Sequence, residues 1–260
     1  MGGRSARSQL NPPGGSAPQG GGGGGTDAQP KGPQVEQEPE QDQVRTITQA
    51  DIPALQQAMG QTGFEAGDPN AAPRDKVYVK TSKSFNINAY LRTGSVHDKS
   101  QNSQWEYLGY TNADAQRAIQ QIDAGMRPLP ESIALTRFVG GSALGAMLGN
   151  PRITSANIDR VIQSITTPQG RAKFAAALQA ADYTEKGYTS TTYLQSHPAF
   201  DTRSIRLNIV ARKGTQAIAT SNHAENEILL GRNAHYRFTG GFRVKVTPSG
   251  VQQLEIDVEI

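Results

Sequence analysis

The stretch Glu225-Asn226-Glu227-Ile228-Leu229-Leu230 places two carboxylates two positions apart at the start of an apolar run. Alternate side chains of a β-strand point to the same side, so this spacing predicts that Glu225 and Glu227 share one face. The continuous apolar run after them predicts a buried strand with an acidic entrance. Taken alone, the pattern is also typical of a solvated acidic strand.

Predicted strands and helices surround this stretch in a clear order along the chain. Alternating apolar side chains predict strands at 133–138, 205–210, 236–238, 242–246 and 254–260, with a hairpin turn at Pro248-Ser249-Gly250. Helical spacing predicts helices at 48–59, 84–92, 112–126 and 158–165, the last capped at Thr154 or Ser155, and one opened by Thr167-Pro168. Helices followed by antiparallel strands predict an α+β fold, and no GxGxxG motif follows a strand to suggest a Rossmann cofactor site.

Composition excludes several classes of protein and divides the chain. None of the 260 residues is cysteine, which excludes a disulfide framework, a thiol nucleophile and thiolate metal sites. No apolar run approaches the roughly 18 residues of a membrane helix, and no secretory signal is visible. Residues 1–43 hold 11 of the 28 glycines and 6 of the 15 prolines, which predicts a disordered leader. Residues 44–260, with a net charge of +5, are predicted to form a single domain.

Few residues outside the acidic stretch suggest chemistry. The four histidines lack metal-ligand spacing, and no GxSxG motif indicates a serine hydrolase, so neither site is expected. The run Tyr188-Thr189-Ser190-Thr191-Thr192 combines four hydroxyls behind an aromatic ring, a pattern also found in edge strands and turns. Arg137 ends an apolar strand before Gly140-Gly141, where its guanidinium could either extend to solvent or hold a phosphate.

In the order Arg137, Ser190-Thr191-Thr192 and Glu225 to Leu230, these features resemble the R-S-E class of mono-ADP-ribosyltransferases. The similarity is to the enzymatic components of actin-modifying binary toxins and to Rho-modifying exoenzymes, over about residues 75–260. Shorter stretches that resemble motifs of this branch are Ile87-Asn88-Ala89-Tyr90-Leu91-Arg92, Pro128-Leu129-Pro130-Glu131 and Arg212-Lys213-Gly214-Thr215. The resemblance implies N-terminal helices (44–126) packed on a mostly antiparallel two-sheet β core (127–260) with an NAD cleft.

The resemblance also implies roles for individual residues. Arg137 is expected to bind the NAD diphosphate, with Thr191 contributing to the NAD site. Ser190 is expected to orient Glu227, which would hold the nicotinamide-ribose hydroxyl and stabilise the oxocarbenium ion. Glu225 is expected to orient the acceptor and take its proton.

The loop after the hydroxyl run adds a further match and a departure. In Phe200-Asp201-Thr202-Arg203, the resemblance implies that Phe200 stacks on nicotinamide and that Arg203 reaches a phosphate. Thr192 replaces the serine that the family has at the third position of its Ser-Thr-Ser motif. Toxins of this branch place an aromatic residue for target recognition in the loop before the two glutamates, whereas this chain has Asn222 there.

These roles imply an NAD-dependent toxin that transfers ADP-ribose and uses no metal. In the family a glutamate at position 225 accompanies arginine acceptors, so a protein with an exposed arginine is the expected target. An NAD glycohydrolase, a nucleic-acid acceptor and a non-catalytic binding module remain as alternatives. The expected site of action is the cytoplasm of a target cell, reached through a secretion machine or virion, and a delivery or immunity partner is left open.

Overall fold

A computed structural model describes residues 42–61, 83–98, 109–195, 200, 202–220 and 225–260. Residues 1–41 of the predicted leader lie outside these described residues, and so does the loop position Asn222. The boundary at residue 43 therefore stays a prediction.

Six α-helices lie within the described residues: α1 (Ile52–Ala58), α2 (Ser84–Thr93), α3 (Asn112–Gly125), α4 (Gly141–Met147), α5 (Ile158–Ile165) and α6 (Pro168–Ala180). Local signals fix several of their ends. The Thr111 hydroxyl accepts a hydrogen bond from the amide of Asp114 at the start of α3, and Thr167 caps α6 in the same way. Gly94 ends α2 with φ of 82°, a conformation that favours glycine.

Two helices differ from the sequence expectation. The N-cap position of α5 is Asn157 and not Thr154 or Ser155. The Asn157 side chain makes no capping hydrogen bond to the helix; it accepts from the Thr154 amide at 2.9 Å and so stabilises the preceding turn. Helix α4 was not expected from the glycine-rich sequence. It packs so closely that a Cβ added at Gly141 would lie 2.5 Å from the carbonyl oxygen of Thr154.

Ten strands are present among the described residues: β1 (Arg45–Thr46), β2 (Arg127–Pro128), β3 (Ile133–Val139), β4 (Tyr183–Glu185), β5 (Thr189–Thr192), β6 (Ile205–Ala211), β7 (Gln216–Ala219), β8 (Glu227–Leu230), β9 (Ala234–Val246) and β10 (Gln252–Glu259). They are hydrogen-bonded in the order β2-β7-β8-β5-β3-β6-β10-β9-β4, with β1 also paired to β3. Of these pairs, only β6–β10 and β1–β3 are parallel. The predicted α+β class with a mostly antiparallel core is confirmed.

The sheet consists of two blocks joined at one point. The ladder between β3 and β5 is the single pair Thr136–Thr192, with β2-β7-β8-β5 on one side and β3-β6-β10-β9-β4 on the other. Strand β8 of the first block is buried on both faces: Ile228 belongs to the larger apolar core with α1, α5 and α6, whereas Leu229 belongs to a smaller core with α2 and α3. The buried strand expected after the two glutamates is thus present.

Two strand boundaries require correction. Strand β8 begins at Glu227, because Asn226 has a φ of 51° and lies with Glu225 in a turn. The strands expected at 236–238 and 242–246 are one strand, β9, which carries extra residues where its pairing with β10 shifts between Ile256 and Val258. Gly240, with φ of 86°, lies in that irregularity.

Candidate active site

A cavity of about 440 Å³ lies where β3, β5 and β8 meet α2. Its lining combines two arginines, two glutamates, several hydroxyls and three phenylalanines. These residues are Ser84, Phe85, Asn88, Arg92, Thr136, Arg137, Phe138, Ser190, Thr191, Thr192, Phe200, Glu225 and Glu227. The three separate sequence features singled out for chemistry therefore meet in one cavity.

Glu227 is a buried carboxylate held by hydroxyls on both of its oxygens. Ser190 Oγ donates to Oε1 at 2.5 Å, and Thr220 Oγ1 donates to Oε2 at 3.2 Å. Glu227 is only 3% exposed, and a buried carboxylate needs such donors to offset the loss of water. The antiparallel pairing of β5 with β8 brings Ser190 to this carboxylate, and the end of β7 brings Thr220.

Glu225 reaches the same cavity through a turn. The left-handed conformation of Asn226 is stabilised by Tyr193, whose hydroxyl donates to Asn226 Oδ1 at 2.5 Å. The Tyr193 amide also donates to the Asn226 carbonyl at 3.3 Å. The two carboxylates therefore line one cavity because the chain turns between them, and not because of the strand period that the sequence suggested.

Arg137 lies on β3 close to a buried acidic and aromatic cluster. Burial raises the pKa of Glu185, but the hydrogen bonds and charge of Arg92, with the charge of Arg137, hold that pKa below its usual range. Burial raises the pKa of Tyr236, an effect that the Arg137 charge partly opposes. The arginine thus lines the cavity on one side and acts on this cluster on the other.

The predicted aromatic residue lines the cavity, whereas the predicted second arginine does not. Phe200 stacks on Phe138 with ring centroids 5.8 Å apart and an interplanar angle of 23°. Arg203 lies outside the lining residues, and its backbone is tied to Phe200 by a 2.9 Å amide–carbonyl hydrogen bond. Phe138 was not predicted from the sequence, although its position next to Arg137 could have indicated it.

Two threonines that line the cavity, one on β5 and one on β3, differ in their hydrogen bonds. Thr191 Oγ1 donates to the Ile228 carbonyl at 2.5 Å and fastens β5 to β8. Thr136 is fully buried in the cavity wall, and its hydroxyl has no hydrogen-bond partner among the described residues.

Helix α2 contributes cavity residues that the sequence did not assign to the site, although their stretch carries one of the family-like motifs. Ser84, Asn88 and Arg92 all line the cavity. Their spacing of four puts them on one helical face, which is the signal that could have found them. Asn88 also holds the start of β5, because its Oδ1 accepts from the Tyr188 amide at 2.9 Å.

Neither a metal centre nor a membrane helix is found in the part of the chain that the structure describes. Within those ranges, no group of three or more histidine, aspartate or glutamate side chains is placed to hold a metal ion. No described helix is long and apolar enough to cross a bilayer.

Comparisons with known proteins agree with this geometry. The sequence model of the ADP-ribosyltransferase exoenzyme family matches residues 70–260. An ADP-ribosyltransferase from Clostridium botulinum, solved in a triclinic form, is 19% identical with a TM-score of 0.57, over 84% of this chain and 99% of that one. The C3 exoenzyme of Clostridium limosum is 21% identical with a TM-score of 0.54, over 85% and 98%.

A binary-toxin component has a similar fold. The ADP-ribosylating toxin of a C. perfringens binary enterotoxin, solved with NADH, is 20% identical with a TM-score of 0.51, over 80% of this chain and 48% of that one. No curated protein matches the sequence.

Proposed function

The chain belongs to the ADP-ribosyltransferase exoenzyme family and is an NAD-dependent mono-ADP-ribosyltransferase, and from that premise we propose that its acceptor is an arginine of a target protein. The observation that carries this choice is the second carboxylate, Glu225, in the cavity that holds Glu227. A carboxylate can bind a guanidinium by paired, charge-assisted hydrogen bonds and can take a proton from it. An amide at the same position could do neither.

We propose that Arg137 and Arg92 bind the NAD diphosphate. Both arginines belong to the cavity lining, one from β3 and the other from α2. Arginine is suited to this task because its planar fork of donors matches phosphate oxygens. Arg203 is assigned to the outer phosphate contacts, since it lies in the chain just after Phe200 and outside the cavity lining.

The proposed chemistry begins with loss of nicotinamide. The bond between the ribose C1′ and the nicotinamide nitrogen breaks, and its electron pair leaves with nicotinamide. Glu227, held in place by Ser190, stabilises the positive charge that develops on the ribose. Phe200 stacks on the nicotinamide ring, and Thr191 supports the site by fastening β5 to β8.

Transfer to arginine completes the reaction. A guanidinium nitrogen of the acceptor attacks C1′, a new C–N bond forms, and Glu225 accepts the proton that the nitrogen loses. Water at the same position would give free ADP-ribose instead. Glu225 is therefore the residue that separates transfer from hydrolysis.

The direct test uses labelled NAD, agmatine as a small guanidine acceptor, and a whole-cell lysate. Glu227→Ala should lower both nicotinamide release and transfer by about 10²- to 10³-fold, because a preorganised charge at the reacting carbon is lost. Glu225→Gln, its matched control two residues away, should lose transfer to agmatine while retaining NAD cleavage. A labelled protein band that maps to an arginine would support the proposal.

Other outcomes would contradict it in distinct ways. Free ADP-ribose without any labelled macromolecule would indicate an NAD glycohydrolase. A labelled nucleic acid would contradict the proposal that the acceptor is a protein. If NAD stayed intact with every acceptor, the result would indicate a non-catalytic binding module. If Glu225→Gln lost transfer and NAD cleavage equally, the result would contradict the proposed role of Glu225 in transfer.

We further propose that the enzyme acts in the cytoplasm of a target cell after delivery by separate machinery, as expected for an exoenzyme. Expression inside host cells should be toxic, and Glu227→Ala should abolish the toxicity. An inactive enzyme inside cells, with full activity in a test tube, would contradict this site of action.

A further inference from the structure

Glu185 is a buried carboxylate beside the cavity that no step of the proposed reaction uses. We propose that Glu185 is a positioning residue, which holds the Arg92 guanidinium in the orientation that binds the NAD diphosphate. The inference rests on the proposed function of Arg92, and it identifies the residue that orients this arginine for binding the diphosphate.

The carboxylate of Glu185 is fixed by four hydrogen bonds from three residues. Arg92 donates from Nε to Oε1 at 2.9 Å and from Nη2 to Oε2 at 3.0 Å, a paired arrangement that sets the plane of the guanidinium. The Gly187 amide donates to Oε1 at 2.9 Å, and the Tyr183 hydroxyl donates to Oε2 at 3.0 Å. Neither oxygen can therefore turn away from Arg92 without losing two bonds.

The burial of the pair differs between its two members. The Glu185 side chain is 6% exposed, whereas the Arg92 side chain is 28% exposed and lines the cavity. The carboxylate is thus the inner, anchored partner, and the guanidinium is the outer partner within reach of a ligand. Buried ion pairs of this kind orient side chains even where they add little stability.

The charge of Glu185 also serves both cavity arginines. Arg92 and Arg137 line one cavity, and two guanidinium groups there repel each other. Both act on Glu185, since their charges help to lower its pKa. One buried carboxylate therefore lets two arginines face the same ligand.

Gly187, two residues after Glu185, allows α2 to approach this part of the chain closely. A Cβ at Gly187 would lie 2.6 Å from Asn88 Oδ1 and 3.2 Å from Glu185 Oε1. The close approach lets α2 place Asn88 against the Tyr188 backbone and, one turn later, Arg92 against Glu185 at the end of β4.

The test is Glu185→Gln, which keeps the side-chain shape but presents an NH₂ group to the donors of Arg92. We expect ADP-ribose, which carries the diphosphate, to bind about tenfold more weakly, the size of one lost charge-assisted hydrogen bond. Nicotinamide, which lacks the diphosphate, should bind unchanged. The KM for NAD should rise by a similar factor with kcat within about twofold, as for lost ground-state binding.

A matched control exists elsewhere in the sheet. Glu255 is also buried and ion-paired, with Arg206, Arg243 and Lys245, but it does not line the cavity. Glu255→Gln should lower the thermal stability and leave both affinities unchanged. In an Arg92→Ala background, Glu185→Gln should weaken ADP-ribose binding no further, because the effect acts through Arg92.

Each outcome decides the proposal. Unchanged or tighter ADP-ribose binding by Glu185→Gln would overturn it, and so would an equal loss of nicotinamide binding, which indicates general distortion. If Glu185→Gln fails to fold, Glu185→Asp should show a smaller, still selective loss, and a non-selective loss there would also overturn it. A wild-type chain that binds neither ADP-ribose nor NAD would instead reject the proposed function itself.

Discussion

At the scale of single residues, the buried hydroxyl groups of the site differ in whether they form a hydrogen bond. Ser190 and Thr220 each donate to one oxygen of Glu227. Thr191 donates to the Ile228 carbonyl, whereas the hydroxyl of Thr136, which is also buried, has no partner among the described residues. An unpaired buried hydroxyl destabilises a fold by roughly 1–3 kcal/mol, so this difference is measurable.

Two valine substitutions test that difference. Thr136→Val removes an unpaired hydroxyl without changing shape and should stabilise the fold by about 1 kcal/mol. Thr191→Val leaves the Ile228 carbonyl without its donor and should destabilise the fold by about 1–2 kcal/mol. Urea unfolding of both variants measures the two changes. Equal effects of the same sign would contradict the hydrogen-bond assignment.

The sequence could predict that certain residues share a cavity, but not how the chain brings them together. Arg137, Ser190 and Glu227 were found by order and resemblance, and all line the cavity. The route of Glu225 into the cavity was not predictable, because it depends on a left-handed Asn226 held by Tyr193. The pairing of Arg92 with Glu185 joins residues 93 positions apart, and no local pattern encodes such a contact.

At the scale of elements, helices with local end signals were predictable and those shaped by packing were not. Thr167 and Gly94 mark the ends of α6 and α2 within a few residues of sequence. Helix α4 contains two glycines that disfavour a helix, and tertiary contact sets it, since a Cβ at Gly145 would lie 2.4 Å from the Ile153 carbonyl oxygen. Its formation depends on residues that follow it in the chain.

The segment between β4 and β5 offers a test at this scale. Gly187→Ala should destabilise the fold by about 1–3 kcal/mol, because the new methyl group overlaps the Asn88 amide, which itself fixes the Tyr188 backbone. NAD cleavage should fall with it, since Ser190 lies on the strand that follows. Gly250→Ala, in the exposed turn before β10, meets no neighbouring atom but has a φ of 81°, so it should destabilise the fold through backbone strain and leave NAD cleavage unchanged. Full activity of Gly187→Ala would contradict the close contact.

At the scale of the whole molecule, the predicted leader and domain can be separated by truncation. A chain that starts at Asp42 keeps β1 and the hydrogen bond between the Ser132 hydroxyl and Asp42. It should retain its melting temperature and its rate of nicotinamide release. A chain that starts at Gln49 loses β1 and the ion pair of Arg45 with Glu131, and should melt several degrees lower. Loss of activity in the longer truncated chain would place essential residues within 1–41.

The single pair Thr136–Thr192 has a consequence for how the molecule moves. Arg137 lies on one block of the sheet, and Ser190 and Glu227 lie on the other, so the cavity spans the seam between them. A dinucleotide that contacts residues of both blocks would link them at the place where a single backbone pair joins them. Binding of the dinucleotide should therefore make the sheet more rigid. Amide hydrogen exchange in β3 and β5 should be slower when the substrate is bound.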